Sequence, residues 1–587
     1  MCGIAGLIMK NGRAPPLAAL EAMQRALAHR GPDGVGSYVK GAVGFIQTRL
    51  AIIDVAGGDH PLYGPGGSAL VGNGEIYNYI ELRRDQSGRV NYRTQSDFEP
   101  TLSMLESEGL PALAKLRGMY GLALHRPWKD DVLLARDPFG IKPLYRLETE
   151  HLLAFASEPR AFFAAGLAKP VLDPLRRDEF LELQYANTAD TVFAGIRRIM
   201  PGESLRVVGG AVVESRRIDP LPPTDTAVPE TLDAAIDAFD RVFEDSVLIH
   251  QRSDVPYGMF LSGGVDSAAV LAMMARLNER PVLAFTCGFA GTAAADEREQ
   301  AAVVAKACGA EHVKVEFGAE DFWRALPDIA GAFDDPTADY AILPTYKLGA
   351  AAKQRVKVVL AGEGGDELFA GYGRYRYLLR PWWRFGRPPR IKGMFERLGI
   401  LRDEGRDWAA AAEAVTAAER ANGRSKLQAA QAADVRGWLP HDLLLKLDRA
   451  LMAHGVEGRT PFLDPEVARF AFPLPDELKV AEDHGKWILR QWLAKHCPAA
   501  AAMGRKRGFT VPVGEWIAAE GARIGPLVAK QPAIAEVARP EAVEQLFKEG
   551  AKKHPRAAFT LLFYALWHRR HIEGANGSGD AFEALAA

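Results

Sequence analysis

Up to about residue 210 the apolar positions come in short runs: Val43-Gly44-Phe45-Ile46, Ala69-Leu70-Val71, Tyr120-Gly121-Leu122-Ala123-Leu124 and Val132-Leu133-Leu134-Ala135. Gly, Asp and Pro separate them, the punctuation of strands packed in layered sheets. Two stretches, near 17–29 and 98–109, carry helical spacing instead. Beyond the Pro-rich run Asp219-Pro220-Leu221-Pro222-Pro223-Thr224-Asp225-Thr226 the pattern changes. Continuous apolar segments at 257–261, 282–285 and 356–360 alternate with helical stretches, as in a parallel sheet covered on both faces. After residue 400 the chain reads as helix, with an alanine-rich stretch over 408–433. The expected organisation is a first domain over 1–210, a linker over 211–230, an α/β domain with added helices over 231–574, and a loose tail over 575–587.

At 587 residues the chain exceeds what one core supports, in line with two domains. Lysine plus arginine (72) nearly balance aspartate plus glutamate (74), so no global field recruits nucleic acid or an anionic membrane. Cys2, Cys287, Cys308 and Cys497 lack CxxC spacing, which speaks against a zinc site and a disulfide framework. No basic leader opens the chain, and no run of about 18 apolar residues occurs. A cytoplasmic protein with neither nucleic acid nor membrane as partner is expected.

Chemistry-bearing residues concentrate at three places. Met1-Cys2-Gly3-Ile4-Ala5-Gly6 is the first. Removal of Met1 would leave Cys2 with a free α-amine, titrating at about pH 8, that takes the thiol proton without a separate histidine. Ser262-Gly263-Gly264-Val265-Asp266-Ser267, the second, stands between a strand and a helix start. Glycines there let backbone amides approach an anion and the helix dipole adds to the attraction, which makes a phosphate cradle. The Gly-Lys-Ser/Thr of the Walker loop is missing, so ordinary γ-phosphate transfer is not indicated. The third is Ala361-Gly362-Glu363-Gly364-Gly365-Asp366-Glu367-Leu368-Phe369-Ala370-Gly371-Tyr372. Beyond the carboxyl ends of parallel strands these two loops can face each other across one nucleotide. Asp266 and Asp366 would then offer carboxylates to Mg²⁺ beside the phosphates, and Glu363 a proton acceptor.

Further motifs keep the same order along the chain. The front half holds His29-Arg30-Gly31-Pro32-Asp33, Arg49-Leu50-Ala51-Ile52-Ile53-Asp54, Asn73-Gly74-Glu75-Ile76-Tyr77-Asn78 and Arg136-Asp137-Pro138-Phe139-Gly140-Ile141-Lys142-Pro143-Leu144-Tyr145. The back half holds Lys446-Leu447-Asp448-Arg449, Glu457-Gly458-Arg459-Thr460-Pro461-Phe462-Leu463-Asp464, Gly485-Lys486-Trp487-Ile488-Leu489-Arg490 and Arg505-Lys506-Arg507-Gly508-Phe509. Together they resemble, over nearly the whole chain, the type B glutamine-hydrolysing asparagine synthetases and related amidotransferases.

The resemblance implies an N-terminal nucleophile (Ntn) glutaminase sandwich of αββα layers, then an α/β ATP-pyrophosphatase domain of the adenine nucleotide α-hydrolase kind. It makes Cys2 the nucleophile on the glutamine amide, with the Asn73 side chain and the Gly74 amide as oxyanion donors. The implied glutamine pocket comprises Arg49, Leu50, Ala51, Ile52, Ile53, Asn73, Gly74, Glu75 and Asp97. Arg49 would take the α-carboxylate, and Asp97 and the region of Glu75 the α-ammonium. ATP would lie against Leu261, Ser262, Gly263, Gly264, Val265, Asp266, Ser267, Cys287, Ala361 and Gly362, and be split to AMP and pyrophosphate. Lys486, with Mg²⁺ at Asp266 and Asp366, would stabilise the leaving pyrophosphate, and Glu363 would take the proton of incoming ammonia. Aspartate is the acceptor the resemblance favours, and a homodimer is compatible with it.

Two departures from the family pattern stand out. Glu457-Gly458-Arg459-Thr460 replaces the commoner Glu-Ala-Arg-Val, a change of packing. Between Gly373 and Lys392 runs a basic, aromatic segment, Arg374-Tyr375-Arg376-Tyr377-Leu378-Leu379-Arg380-Pro381-Trp382-Trp383-Arg384, continuing to Arg387 and Arg390. It reads either as a solvated helix and loop or as the wall of an acceptor site for a peptide, sugar acid or secondary-metabolite precursor. Two other function classes stay open. A tRNA-modifying ATP pyrophosphatase would share the loop at 262–267 but have no need of Cys2, Arg49, Asn73 and Asp97. A non-catalytic nitrogen-sensing protein would have no need to keep Cys2, Asp266, Glu363, Asp366 and Lys486 together.

Overall fold

Cys2 begins a strand rather than a frayed end. β1 (Cys2–Met9) lies antiparallel between β3 (Val43–Arg49) and β9 (Leu152–Ala156). With β2 (Gly34–Lys40), β8 (Tyr145–Glu148) and β10 (Ile196–Arg198) they form a six-stranded sheet in the order β10-β8-β9-β1-β3-β2. A second six-stranded sheet contains β4 (Leu62–Tyr63), β5 (Ala69–Ile76), β6 (Gly118–Arg126), β7 (Asp131–Arg136), β11 (Glu203–Val208) and β12 (Ala211–Arg217), in the order β12-β11-β7-β6-β5-β4. Side-chain alternation along β1 sets the layers. Ile4 and Ile8 join Val71, Ala123 and Leu134 between the sheets, while Ala5 and Leu7 pack with Leu20 and Met23 of helix Leu17–Ala26. On the far side Leu70, Leu122 and Leu124 meet Phe98, Leu102 and Leu105 of helix Phe98–Ser107. The result is the expected helix, sheet, sheet, helix stack.

The computed structural model describes residues 2–587 apart from 224, 225, 230, 290, 293–295, 381–390, 505–509 and 576–578. Its second half is built on five parallel strands in the order β15-β14-β13-β16-β17: β13 (Tyr257–Phe260), β14 (Leu283–Gly288), β15 (Glu311–Glu316), β16 (Val358–Leu360) and β17 (Glu457–Arg459). β13, β14 and β16 are the three strands the apolar runs announced. β15 and β17 are the sheet edges, one largely polar and one only three residues long, which leaves them without a continuous apolar signal. The alanine-rich stretch is a pair of helices, Ala410–Ala421 and Lys426–Arg436, the second started by a Ser425/Gln428 capping box.

Two boundaries differ from expectation. Ala211–Arg217, placed in the linker, pairs antiparallel with β11 and closes the first domain's sheet. Its exposed and half-exposed residues mark an edge strand, whose polar face hides it among linker residues. The chain end is not a loose tail either. Helix Ala581–Ala586 is capped by Asp580 and buries Ala581, Phe582 and Leu585, with the Phe582 ring 4.7 Å from that of Trp323. A six-residue helix is too short to show a period in sequence. Among the described residues no helix is long and apolar enough to cross a membrane.

Candidate active sites

The register of β1 with β3 sets Cys2 opposite Arg49, and β5 brings Asn73 beside them. A cavity of about 30 Å³ opens there, walled by Cys2, Arg49, Gly74, Glu75 and Asp97 together with Leu50, Ile52 and Ile53. Asn73 is fully buried; its Oδ1 accepts the Cys2 amide at 3.1 Å, and its Nδ2 has no hydrogen-bond partner. A buried donor left open next to a thiol is the feature an oxyanion hole requires. Gly74 has φ +147°, and a Cβ there would stand 1.9 Å from the Met119 carbonyl oxygen. Only glycine fits that bend.

Arg49 is held by the carbonyls of Ile53 (3.2 Å), Asp54 (2.6 Å) and Val55 (3.1 Å) and by Asp59 at 3.0 Å. Burial pushes the Asp97 carboxyl up to about 6, although the Ile76 amide donates to it at 2.8 Å. Glu75 lines the cavity, but one oxygen is committed to Arg459 of the second domain at 3.0 Å. Burial and then Asp97 drive its pKa well up. Ala51 does not reach the cavity; its amide donates to Asp33 at 2.8 Å. His60 does, a residue the motifs gave no reason to name, and burial keeps it neutral with a pKa lowered to about 3.

At the carboxyl end of β13, the loop at 262–267 folds on its own hydroxyls. Ser267 Oγ accepts the Ser262 amide at 3.0 Å, and Ser262 Oγ accepts the Gly264 amide at 3.1 Å, opening helix Val265–Leu277. Gly263, Gly264, Val265 and Asp266 line a cavity of about 330 Å³ with Glu297, Gln300, Lys486 and Arg490. Lys486, 4% exposed and at φ +59°, starts helix Trp487–His496 and places its ammonium between Asp266 and, at 2.9 Å, Asp366. The cost of that left-handed backbone is of order 1–3 kcal/mol, and it aims the ammonium at both loops. Burial lowers the Lys486 pKa, but the two carboxylates outweigh it and the net shift is upward.

Leu261, Cys287, Ala361 and Gly362 sit behind the cavity rather than on its wall. The Leu261 amide donates to Phe285 at 2.8 Å, and burial takes the Cys287 thiol up to about 12, leaving it inert. Glu363 also lies off this wall; burial raises its carboxyl against the pull of Lys446. Arg505-Lys506-Arg507-Gly508-Phe509 and residues 381–390 of the basic segment lie outside the described residues.

Residues 1–217 match the glutamine amidotransferase domain family and residues 238–569 the asparagine synthase family. The chain belongs to the glutamine-hydrolysing asparagine synthetase family. It is an ATP-dependent carbon–nitrogen ligase of the glutamine amidotransferase kind. A Mycobacterium tuberculosis protein provisionally named as a glutamine-hydrolysing asparagine synthetase is 34% identical over 98% of each chain. Asparagine synthetase [glutamine-hydrolyzing] 1 of Bacillus subtilis is 30% identical over 98% of this chain and 97% of its own. Amidase chry2 of Gibberella zeae is 27% identical over 84% and 85%.

The synthetase and glutaminase halves are joined by buried charge. Helix Leu444–Met452 is buried at all nine positions and carries Lys446, Asp448 and Arg449. Arg30, fully buried, donates to Asp448 at 2.8 and 3.0 Å, to Glu158 at 2.7 Å and to the Cys2 carbonyl at 3.2 Å. Arg449 pairs with Glu158 at 2.8 Å and Asp334 at 3.0 Å. Lys446 on the same helix reaches Asp339 at 3.2 Å and bears on Glu363. Sequence showed these motifs without their roles, because the partners lie hundreds of residues apart. Gly458 is explained too: a Cβ there would come within 2.9 Å of Leu451 and 3.0 Å of Leu447, so glycine lets this helix seat on β17.

Proposed function

We propose that this enzyme transfers the amide nitrogen of glutamine to the side-chain carboxylate of aspartate, activated by ATP, and so makes asparagine. The observation that carries the reading is that one apolar cluster runs unbroken between the two pockets. Leu50, Ile52, Ile53, Met119 and Ile141 on the glutaminase side pack continuously with Leu261, Leu360 and Leu463 on the other. Close-packed apolar side chains exclude water between the two halves, an environment that favours neutral ammonia over ammonium.

In this reading the α-amine, freed by loss of Met1, takes the proton of the Cys2 thiol as its sulfur attacks the glutamine amide carbon, and then gives that proton to the leaving ammonia. Asn73 Nδ2 and the Gly74 amide hold the oxyanion, and water then releases glutamate from the thioester. At the second site the acceptor carboxylate attacks the α-phosphorus and pyrophosphate leaves. Ammonia displaces AMP from the acyl-adenylate and gives its proton to Glu363, whose raised pKa suits that role. Asp266 and Asp366 face each other across Lys486, a two-carboxylate set that fits Mg²⁺ completed by phosphate oxygens. Bound there, the ion would offset the charge of the phosphates. Four free cysteines, Cys2, Cys287 and Cys497 buried and Cys308 half-buried, support a reducing, cytoplasmic setting.

A different carboxylate acceptor is the second reading, favoured by a relative named an amidase and by the basic segment beside the nucleotide loop. An acceptor screen decides between them. Aspartate should yield AMP, pyrophosphate and asparagine in near-equal amounts. Cys2→Ala should abolish synthesis from glutamine and keep synthesis from free ammonia. Pyrophosphate release with a larger carboxylate and none with aspartate would move the assignment to the second reading.

A further inference from the structure

The described part of the basic, aromatic segment belongs to neither catalytic pocket. Arg374, Tyr375 and Leu378 of helix Gly373–Leu378, with Ile391 and Lys392, wall a separate cavity of about 480 Å³. The helix pair Ala410–Ala421 and Lys426–Arg436 closes a second side with Val415, Ala430 and Ala433. Leu183, Tyr185 and Asn187 of the first half close a third. The cavity shares no lining residue with the glutamine or nucleotide pockets.

Its chemistry is specific, because the charge is one-sided. Four cations, Arg374, Lys392, Arg420 and Lys426, line the cavity against the single carboxylate of Asp434. Asp434 is already occupied by Arg374 at 2.8 Å and by the Tyr375 hydroxyl. Lys392, Arg420 and Lys426 are exposed at the rim and make no ion pair with a described residue. Most of the remaining wall is apolar.

We propose that this cavity is a third binding site, distinct from the adenylation centre, for an amphipathic organic anion: an aliphatic or aromatic body in the pocket and an anionic head at the cationic rim. The site is wired to the nucleotide loop. Arg374 stacks 4.1 Å over the Tyr372 ring, Tyr372 packs 5.5 Å from Tyr375, and the Tyr372 hydroxyl donates to Glu367 at 2.5 Å. Glu367 adjoins Asp366, which pairs with Lys486. Occupancy can therefore bias the position of the pyrophosphate-binding lysine through three side-chain contacts.

The inference stands on this geometry and not on the identity of the acceptor, and the full-length protein tests it. Fluorescence titration with anilinonaphthalene sulfonate should show one saturable site per chain. Octanoate should displace the probe, and octylamine, with the same chain and opposite charge, should be at least about tenfold weaker. Val415→Trp, filling the cavity, should abolish probe binding. Arg420→Ala with Lys426→Ala, at exposed positions, should weaken it about tenfold. Both variants should keep wild-type melting curves and aspartate-dependent pyrophosphate release without octanoate. Equal competition by octanoate and octylamine, or probe binding unchanged in both variants, would overturn the proposal. So would pyrophosphate release driven by octanoate alone, which would make the cavity part of the acceptor site.

Discussion

Asn73 divides its amide between two tasks. Its oxygen accepts the Cys2 amide at 3.1 Å, and its buried nitrogen, without a partner, is the group that in the proposed mechanism meets charge appearing only during reaction. Asn73→Ala should lower glutamine turnover by about 100- to 1,000-fold, the usual loss for one oxyanion donor. Synthesis from ammonia should be unaffected, a split read by assaying both nitrogen sources. In the proposed glutamine pocket Asp97 sets a pH limit by the same kind of local argument. The ionised carboxylate is the form that binds an ammonium, and burial raises its pKa to about 6. Activity on glutamine should therefore fall as pH drops through about 6, as more of the enzyme carries a neutral Asp97. A pH profile of kcat/KM for glutamate release checks this; Asp97→Asn should be uniformly poor and should lose that limb.

At the scale of elements, the final helix shows how much a short segment can contribute once it is packed. Phe582 is 5% exposed, its ring tilted at 45° and 4.7 Å from that of Trp323, and covered by Arg523 at 3.8 Å. Phe582→Ala should cost about 3–5 kcal/mol, the range for emptying a buried aromatic site. Urea unfolding measures it, and a change under 1 kcal/mol would mean the helix merely rests on the surface. Helix Leu444–Met452 has the opposite character, contributing through charge. Its Lys446 bears on Glu363 while its Asp448 holds Arg30, which donates to the Cys2 carbonyl, so one helical rod links to both candidate sites.

For the whole molecule, that rod makes the docking of the two halves part of the active site. Burying Arg30, Glu158, Asp334, Asp448 and Arg449 together is tolerable because each has a partner of opposite sign. Asp448→Asn removes one charge and leaves Arg30 under-compensated. The expected loss is about 3–5 kcal/mol, the range for breaking a buried pair. Because Arg30 also donates to the Cys2 carbonyl, glutamine-driven synthesis should suffer more than ammonia-driven synthesis. Thermal melts with paired nitrogen-source assays test both parts. Equal loss with either source would confine the network to a structural role.

Much was determined by the chain alone, since some chemistry is local. A strand, a glycine turn and a helix start are adjacent in sequence, so the strand–turn–helix unit around the loop at 262–267 was legible. Cys2, Asn73 and Asp97 were legible through motif residues whose backbone demands, such as the bend at Gly74, leave a mark in residue type. Edge strands and the end helix were not, because a polar face or a six-residue span carries too little period. Only the tertiary structure decided which charges meet. Arg30 and Asp448 are 418 positions apart, and Glu75 and Arg459 are 384. Charge pairing depends on distance in space and on burial, and neither is written in the spacing of residues along one chain.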